Sequence, residues 1–122
     1  MGKRKGLEDT RGTLFYDYAR LVKEINPKVF IYENVPGMLS HDGGKTWDII
    51  KDVFKSLAYD IHYAVLNSKD YGIPQSRKRL FVVGFKGSAK RNFTFPAPKQ
   101  LQCEASDFYE TAVDSKYYFK LN

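Results

Sequence analysis

The spacing of apolar residues predicts two amphipathic helices. From about Arg11 to Asn26 apolar positions recur with helical spacing, with Thr10 available as N-cap and Pro27 ending the run. A second helix is predicted from about Trp47 to Ala58, with Thr46 as its cap. The predicted core stripes are Leu14, Phe15, Tyr18, Leu21, Val22 and Ile25 in the first helix and Trp47, Ile50, Phe54 and Leu57 in the second. Each helix is therefore expected to pack one face on a core.

Three further apolar runs predict strands. The run Val29 to Val35 is apolar at nearly every position, which is typical of a strand buried on both faces of a sheet. Two more strands are predicted at about Ile61 to Asn67 and Arg79 to Phe85, separated by the polar stretch from Ser68 to Ser76. Because no helix lies between these two, we expect an antiparallel hairpin with a broad functional loop. The order helix, strand, helix, strand, strand predicts an α/β fold.

Length and composition narrow the class of protein. The chain has 122 residues, enough for one domain or part of one, and its 43% hydrophobic and 16% aromatic content predicts a packed interior. It has no apolar run of the roughly 18 residues that a membrane span needs. The single cysteine, Cys103, and the absence of a secretory start indicate a reducing, cytoplasmic location. A net charge of +6 is typical of proteins with a polyanionic partner, although many basic proteins have none.

Candidate chemistry lies where predicted strands meet loops. Glu33 begins the segment Glu33-Asn34-Val35-Pro36-Gly37 at the end of a strand, the position beyond which open sheets bind ligands. For an isolated glutamate, a solvent-facing loop acid is the more common interpretation. A second polar segment, Gln75-Ser76-Arg77-Lys78-Arg79, enters the last strand, and Arg77 and Arg79 share a face if extended. A carboxylate and two guanidiniums are therefore predicted to share one crevice.

These two segments resemble conserved motifs of a known family. Tyr32 to Gly37 and Ile73 to Arg79 are similar to the sixth and eighth motifs of DNA (cytosine-5) methyltransferases. Lys3 to Gly12 resembles the stretch after the family's catalytic loop, and Phe93 to Pro96 resembles the passage toward its target-recognition region. The resemblance implies part of a doubly wound, Rossmann-like sheet that ends in an antiparallel hairpin. It implies a partial catalytic domain over residues 1–92, followed by a linker and the start of the recognition region over residues 93–122.

The resemblance also implies a reaction and a role for individual residues. The family transfers a methyl group from S-adenosylmethionine to C5 of a cytosine flipped out of double-stranded DNA, commonly in restriction-modification systems. A cysteine thiolate adds to C6, and Glu33 matches the residue that donates or shares a proton at N3, which a water-poor crevice would favour. Arg79 matches the arginine that holds O2, and Arg77 matches its companion that steadies the glutamate or a phosphate. The supporting residues implied for the base and the loop are Asn34, Val35 and Gln75.

Parts of the family's machinery are not found in this sequence. We find neither the Phe-x-Gly-x-Gly cofactor loop nor the Pro-Cys nucleophile loop, and Cys103 falls after the eighth motif, where the family has no nucleophile. His41 and His62 show no metal-ligand spacing with Cys103, so no metal is expected. The chain alone is therefore expected to be inactive and to bind S-adenosylmethionine weakly at most. Its expected partners are double-stranded DNA, contacted through phosphates by Lys3, Arg4 and Lys5, and the missing amino-terminal part of the catalytic domain.

Two other interpretations stay open, and one physical consequence follows. The chain could serve as a non-catalytic DNA-binding module, or as the complementing subunit of a split methyltransferase; an upstream reading frame with a Pro-Cys motif would favour the split or interrupted enzyme.

In the implied sheet the strand Val29 to Val35 has an unpaired edge without Pro or Lys. Leu14, Phe15 and Tyr18 are expected to be short of packing partners. The chain is therefore expected to self-associate, most simply as a two-fold dimer joined near residues 29–35, or else to be partly unfolded.

Overall fold

The computed structural model describes residues 10–87, 92–100 and 102–118. Its helices and strands are α1 (Thr10–Ile25), β1 (Val29–Asn34), α2 (Lys45–Ser56), β2 (Tyr59–Asn67) and β3 (Lys78–Lys86). Single 3-10 turns lie at Pro36–Leu39, His41–Gly44, Ser68–Asp70, Ala105–Phe108 and Ser115–Tyr117. Both predicted helices and all three predicted strands are confirmed, with ends displaced by one or two residues.

The three strands form one sheet in the order β1-β3-β2. The last strand in sequence, β3, lies in the middle and is antiparallel to both neighbours, which confirms the predicted hairpin of β2 and β3. It follows that β1 and β2 run parallel, with α2 in the connection between them. The ends of β1 at Asn34 and β2 at Asn67 therefore meet the start of β3 at Lys78 at one end of the sheet.

The core lies between the two helices and one face of the sheet. Its fully buried side chains come from α2 and β3, and the rings of Phe15, Phe30 and Tyr32 surround Phe54 with centroid distances of 5.6, 4.5 and 5.9 Å. A glycine makes this packing possible: a Cβ on Gly84 would lie 2.1 Å from Cε1 of Phe30. The buried core residues are Phe15, Ala19, Val22, Phe30, Tyr32, Trp47, Ile50, Phe54, Tyr59, Leu80 and Val82.

The first helix packs along a narrower line than predicted. Phe15 and Val22 are buried, whereas Leu14 and Ile25 are 65% and 70% exposed. The expectation that Phe15 lacks partners is wrong, because its ring packs edge-on against that of Phe54 and only 2% of its surface is exposed. The helix ends as Asn26 adopts a left-handed φ of 49° and donates its N–H to the carbonyl of Val22 at 2.9 Å.

In the described residues β1 is buried on one face, so the prediction of burial on both faces is wrong. Phe30 and Tyr32 point into the core, while Ile31 on the opposite face is 64% exposed. Both helices pack on the core face of the sheet. On the other face Phe93 packs against His62 of β2 and Phe85 of β3, with ring centroids 5.4 and 5.3 Å away.

The predicted N-cap of α2 is also wrong. The cap is Gly44, whose left-handed φ of 93° suits glycine, and helix α2 begins at Lys45. Thr46 is instead buried in the first turn, with its Oγ1 2.7 Å from Nδ1 of His41. Its hydroxyl therefore ties the loop that follows β1 to the start of α2.

Candidate functional site

Two of the predicted site residues contact each other across the sheet. Glu33 is paired in register with Phe81, and Arg79 stands two residues earlier on β3, which makes it a diagonal neighbour on the same face. Nε of Arg79 lies 2.8 Å from Oε1 of Glu33, so the two side chains form an ion pair. The side chains of Arg79 and Glu33 are 23% and 47% exposed, so the pair is open to a ligand from solvent.

Arg79 has donors to spare beyond this contact. Its Nη1 donates to the backbone carbonyl of Lys78 at 2.8 Å, so the guanidinium is held at two of its nitrogens. In the part of the chain that the structure describes, its Nη2 group makes no hydrogen bond to protein. A guanidinium carries N–H donors in a planar fork, and the remaining ones can bind a carbonyl oxygen beside the Glu33 carboxylate.

Asn34 stabilises the end of β1 and the turn after it. Its Nδ2 donates to the hydroxyl oxygen of Tyr32 at 2.6 Å, and its Oδ1 accepts from the backbone N–H of Val35 at 2.8 Å. Burial raises the pKa of Tyr32, so this hydroxyl stays protonated. Val35 is half exposed and its carbonyl accepts from Met38 to begin the next turn. Asn34 therefore acts on the backbone that carries Glu33.

The loop between β2 and β3 is closed at its base by Asn67, which resembles part of the run-up to the eighth motif but had no predicted role in the site. Asn67 is 5% exposed; its Oδ1 accepts from the backbone N–H of Arg77 at 2.8 Å and its Nδ2 donates to Oγ of Ser76 at 3.3 Å. The backbone N–H of Ser68 donates to the carbonyl of Arg77 at 3.1 Å. The available signal was an asparagine directly after the apolar run Ala64-Val65-Leu66.

The other predicted residues of this loop have exposed side chains. Gln75 is held through its backbone, because its N–H donates to Ile73 at 2.7 Å and its carbonyl accepts from the hydroxyl of Ser68. Arg77 is the last loop residue, since β3 begins at Lys78. Its predicted role as companion of Arg79 stays a prediction, and the ion pair with Glu33 is made by Arg79.

The segment after residue 92 packs along the outside of this loop. The hydroxyl of Tyr71 donates to the carbonyl of Pro96 at 3.0 Å, and the N–H of Lys99 donates to the carbonyl of Asp70 at 2.7 Å. Sγ of Cys103 lies 3.6 Å from the carbonyl oxygen of Gly72. Together with Gly72, Lys99, Gln100 and Gln102, it lines an open cavity of about 460 Å³. Cys103 thus packs on the loop.

Comparison with known proteins identifies the family. The model of the C-5 cytosine-specific DNA methylase family matches residues 1–122. The chain belongs to this family. It is 45% identical over 119 residues to the type II methyltransferase M.SsoII of Shigella sonnei, covering 95% of this chain and 31% of that protein. It is 47% identical over 107 residues to M.HhaI of Haemophilus parahaemolyticus, covering 87% of this chain and 33% of that protein. The chain spans about a third of the length of these relatives.

Solved structures support the same fold. A structure described as a prophage-encoded DNA modification methyltransferase from E. coli matches with a TM-score of 0.64 and 31% identity over 76% of this chain and 27% of that one. A DNMT2 variant from Spodoptera frugiperda matches with a TM-score of 0.64 and 19% identity over 84% of this chain and 33% of that one. This match supports the fold alone. The resemblance drawn from the sixth and eighth motifs and the predicted methyltransferase fold are both confirmed.

The candidate phosphate contacts Lys3, Arg4 and Lys5 lie outside the residues that the structure describes. The described residues can be compared with metal sites and membrane spans. Within residues 10–87, 92–100 and 102–118, no group of three His, Cys, Asp or Glu side chains is placed to hold a metal ion. In the same ranges, every helix is too short or too polar to cross a membrane.

Proposed function

We propose that this chain forms the base-holding part of a DNA (cytosine-5) methyltransferase. The enzyme would transfer a methyl group from S-adenosylmethionine to C5 of a cytosine flipped out of double-stranded DNA. The reaction follows from the family, and the 2.8 Å contact between Glu33 and Arg79 is the observation that supports the assignment of the base-holding residues. The pair lies at the end of the sheet where β1 ends and β3 begins.

Glu33 would handle the proton at N3 of the cytosine. When a nucleophile adds to C6, negative charge develops toward N3, and a proton shared between N3 and the Glu33 carboxyl stabilises it. Arg79 lies 2.8 Å from the Glu33 carboxylate and holds this side chain at the place where N3 of the base would arrive.

Arg79 would hold the neighbouring O2 of the same base. O2 and N3 are adjacent on the pyrimidine edge, as the guanidinium and the carboxylate are adjacent in the site. With Nε on Glu33 and Nη1 on the carbonyl of Lys78, the guanidinium is fixed before the base arrives. Its remaining donors can then bind O2 without loss of these contacts. Arg77, exposed on the loop beside it, would contact the glutamate or a DNA phosphate.

The methyl group comes from S-adenosylmethionine when this cofactor is bound. We assign none of the described residues to the cofactor, because those at the site are a carboxylate and guanidiniums suited to the base. The cofactor and nucleophile sites would lie in the part of a relative that this chain, at 31% of its length, does not span. The partners would be that part of the catalytic domain and DNA, in the cytoplasm, with the segment after residue 92 leading toward target recognition.

Reconstitution tests this proposal. The chain is mixed with the parts of M.SsoII outside the matched region, and transfer of tritiated methyl groups from S-adenosylmethionine to cytosine-containing DNA is measured. We expect transfer from the mixture and none from either component. Intact M.SsoII in the same buffer is the control. No transfer from two folded components that bind each other would contradict the proposal. Weak, sequence-independent DNA binding that salt abolishes would then favour the DNA-binding module.

A further inference from the structure

We propose that Asn67 is a positioning residue that fixes the entry of the chain into β3 and thereby holds Arg79 against Glu33. The role of Arg79 toward the base rests on the proposed function, but the positioning itself does not. Asn67 is the last residue of β2, it is 5% exposed, and both polar atoms of its amide are hydrogen bonded within the loop.

The contacts of Asn67 fix the point at which the chain enters β3. In the hairpin register Asn67 is opposite Lys78, so Arg77 is the last residue before the ladder. The N–H of Arg77 is held by Oδ1 of Asn67 at 2.8 Å, and the carbonyl of Arg77 is held by the N–H of Ser68 at 3.1 Å. Both sides of this residue are thus anchored to the end of β2, directly before Lys78 and Arg79.

The register decides whether Arg79 reaches the site at all. Successive side chains of a strand point to opposite faces, so a slip of one residue would move Arg79 to the other face of the sheet. Glu33 and Arg79 contact each other because the present register places them on the same face. The core-facing side chains of Leu80 and Val82, both fully buried, fix the register further along β3. The buried amide of Asn67 restrains the chain just before these residues, where Arg79 lies.

The chemistry of the side chain predicts which substitutions keep this function. The 2.8 Å contact needs an acceptor for the N–H of Arg77, which aspartate also offers. The 3.3 Å contact to Ser76 is longer, so its loss matters less. Leucine matches asparagine in size but leaves the N–H of Arg77 without its acceptor. Asn67→Asp should therefore retain the geometry, and Asn67→Leu should lose it.

The experiment measures hydrogen exchange by NMR in the 122-residue chain without DNA or cofactor. In the unsubstituted chain the amide of Arg77 and the Nε–H of Arg79 should exchange slowly. In Asn67→Leu both should exchange about tenfold faster or more, while the amide of Val82 stays protected. Asn67→Asp and the control Ser76→Ala should remain within a few-fold of the unsubstituted chain. In the reconstituted assay Asn67→Leu should lower kcat, and Asn67→Asp should restore it.

The opposite results would overturn the inference. A fast-exchanging Arg77 amide in the unsubstituted chain would show that the 2.8 Å contact does not restrain the loop. Slow exchange of the Arg79 Nε–H in a folded Asn67→Leu variant would show that Asn67 does not position Arg79. If Asn67→Leu fails to fold, Asn67→Asp decides, because fast exchange in this variant contradicts the role of the acceptor. Failure of methyl transfer with the exchange results intact would contradict the proposed function alone.

Discussion

Glu33 and Arg79 stand on neighbouring antiparallel strands, two positions apart in register, and their side chains meet at 2.8 Å. The contact depends on the pairing of β1 with β3, because the two residues are far apart in the sequence. Diagonal neighbours on one face of a sheet are within reach of long side chains, and arginine and glutamate use that reach here. Changes to either side chain should therefore act on the enzyme's activity. Changes to the packing that holds the two strands should act on the free energy of unfolding.

The shape of the Arg79 side chain should matter as well as its charge. In the reconstituted enzyme Arg79→Ala should weaken both base capture and turnover. Arg79→Lys should stay roughly tenfold or more below the unsubstituted enzyme, because an ammonium cannot bind Glu33 and a carbonyl oxygen with a planar fork. The control is Arg20→Lys on α1, whose exposed pair with Glu24 at 3.1 Å is remote from the site. Recovery of most of the rate by lysine would show that charge alone suffices.

The sheet should not tolerate a side chain at Gly84. Gly84→Ala would place a Cβ 2.1 Å from the ring of Phe30, so the ring or the strand must move. We expect the free energy of unfolding, measured in urea, to fall by roughly 1–3 kcal/mol. The matched control is Gly37→Ala, where a Cβ has nothing within 4 Å, and a change of about 0.5 kcal/mol or less is expected. Equal effects of the two substitutions would contradict the packing described for Phe30.

The cluster of Tyr18, Tyr32 and Tyr59 should lower the free energy of unfolding at alkaline pH. Burial, followed by the nearby Tyr32 and Tyr59, raises the pKa of Tyr18 from 10.0 to about 12. A raised folded-state pKa means that the folded chain holds its proton where the unfolded chain has lost it. The contribution of Tyr18 to the free energy of unfolding is thus complete below pH 10 and is lost as the pH rises toward about 12.

Tyr18→Phe should flatten this alkaline decline in unfolding free energy. At neutral pH it should be destabilising by about 1 kcal/mol, since the hydroxyl donates to the carbonyl of Ile31 at 2.9 Å. Tyr16→Phe, at a half-exposed position on the same helix, is the control. An alkaline decline as steep in Tyr18→Phe as in the unsubstituted chain would contradict the assignment to Tyr18.

The chain should self-associate through the uncovered face and outer edge of β1. Ile31 is 64% exposed there, beside the half-exposed Val29, and β1 pairs with β3 on one side only among the described residues. Sedimentation velocity should show association that increases with concentration and is abolished by Ile31→Lys. The control Ile49→Lys, at a 39% exposed position on α2, should leave it unchanged. A monomer at all concentrations would contradict this prediction.

The sequence predicts those features that depend on local periodicity. Both helices and all three strands follow from apolar spacing, and Glu33 and Arg79 were identified because each lies where a strand meets a loop. The burial of β1 was mispredicted because Ile31 is apolar whether or not another element covers it. The cap of α2 was mispredicted because Thr46 resembles a cap in sequence, whereas its hydroxyl bonds to His41. The role of Asn67 depends on the hairpin register, which a polar residue at a strand end does not reveal.

The most direct test of the central claim is the single-turnover rate of methyl transfer by Glu33→Gln in the reconstituted enzyme. Glutamine keeps an oxygen that can accept from Arg79 but cannot share a proton with N3. The rate should fall by roughly two to four powers of ten while DNA affinity stays nearly unchanged. Glu24→Gln, on the exposed face of α1, is the control and should react at the unsubstituted rate. A Glu33→Gln rate within a few-fold of the unsubstituted enzyme would contradict the role of Glu33.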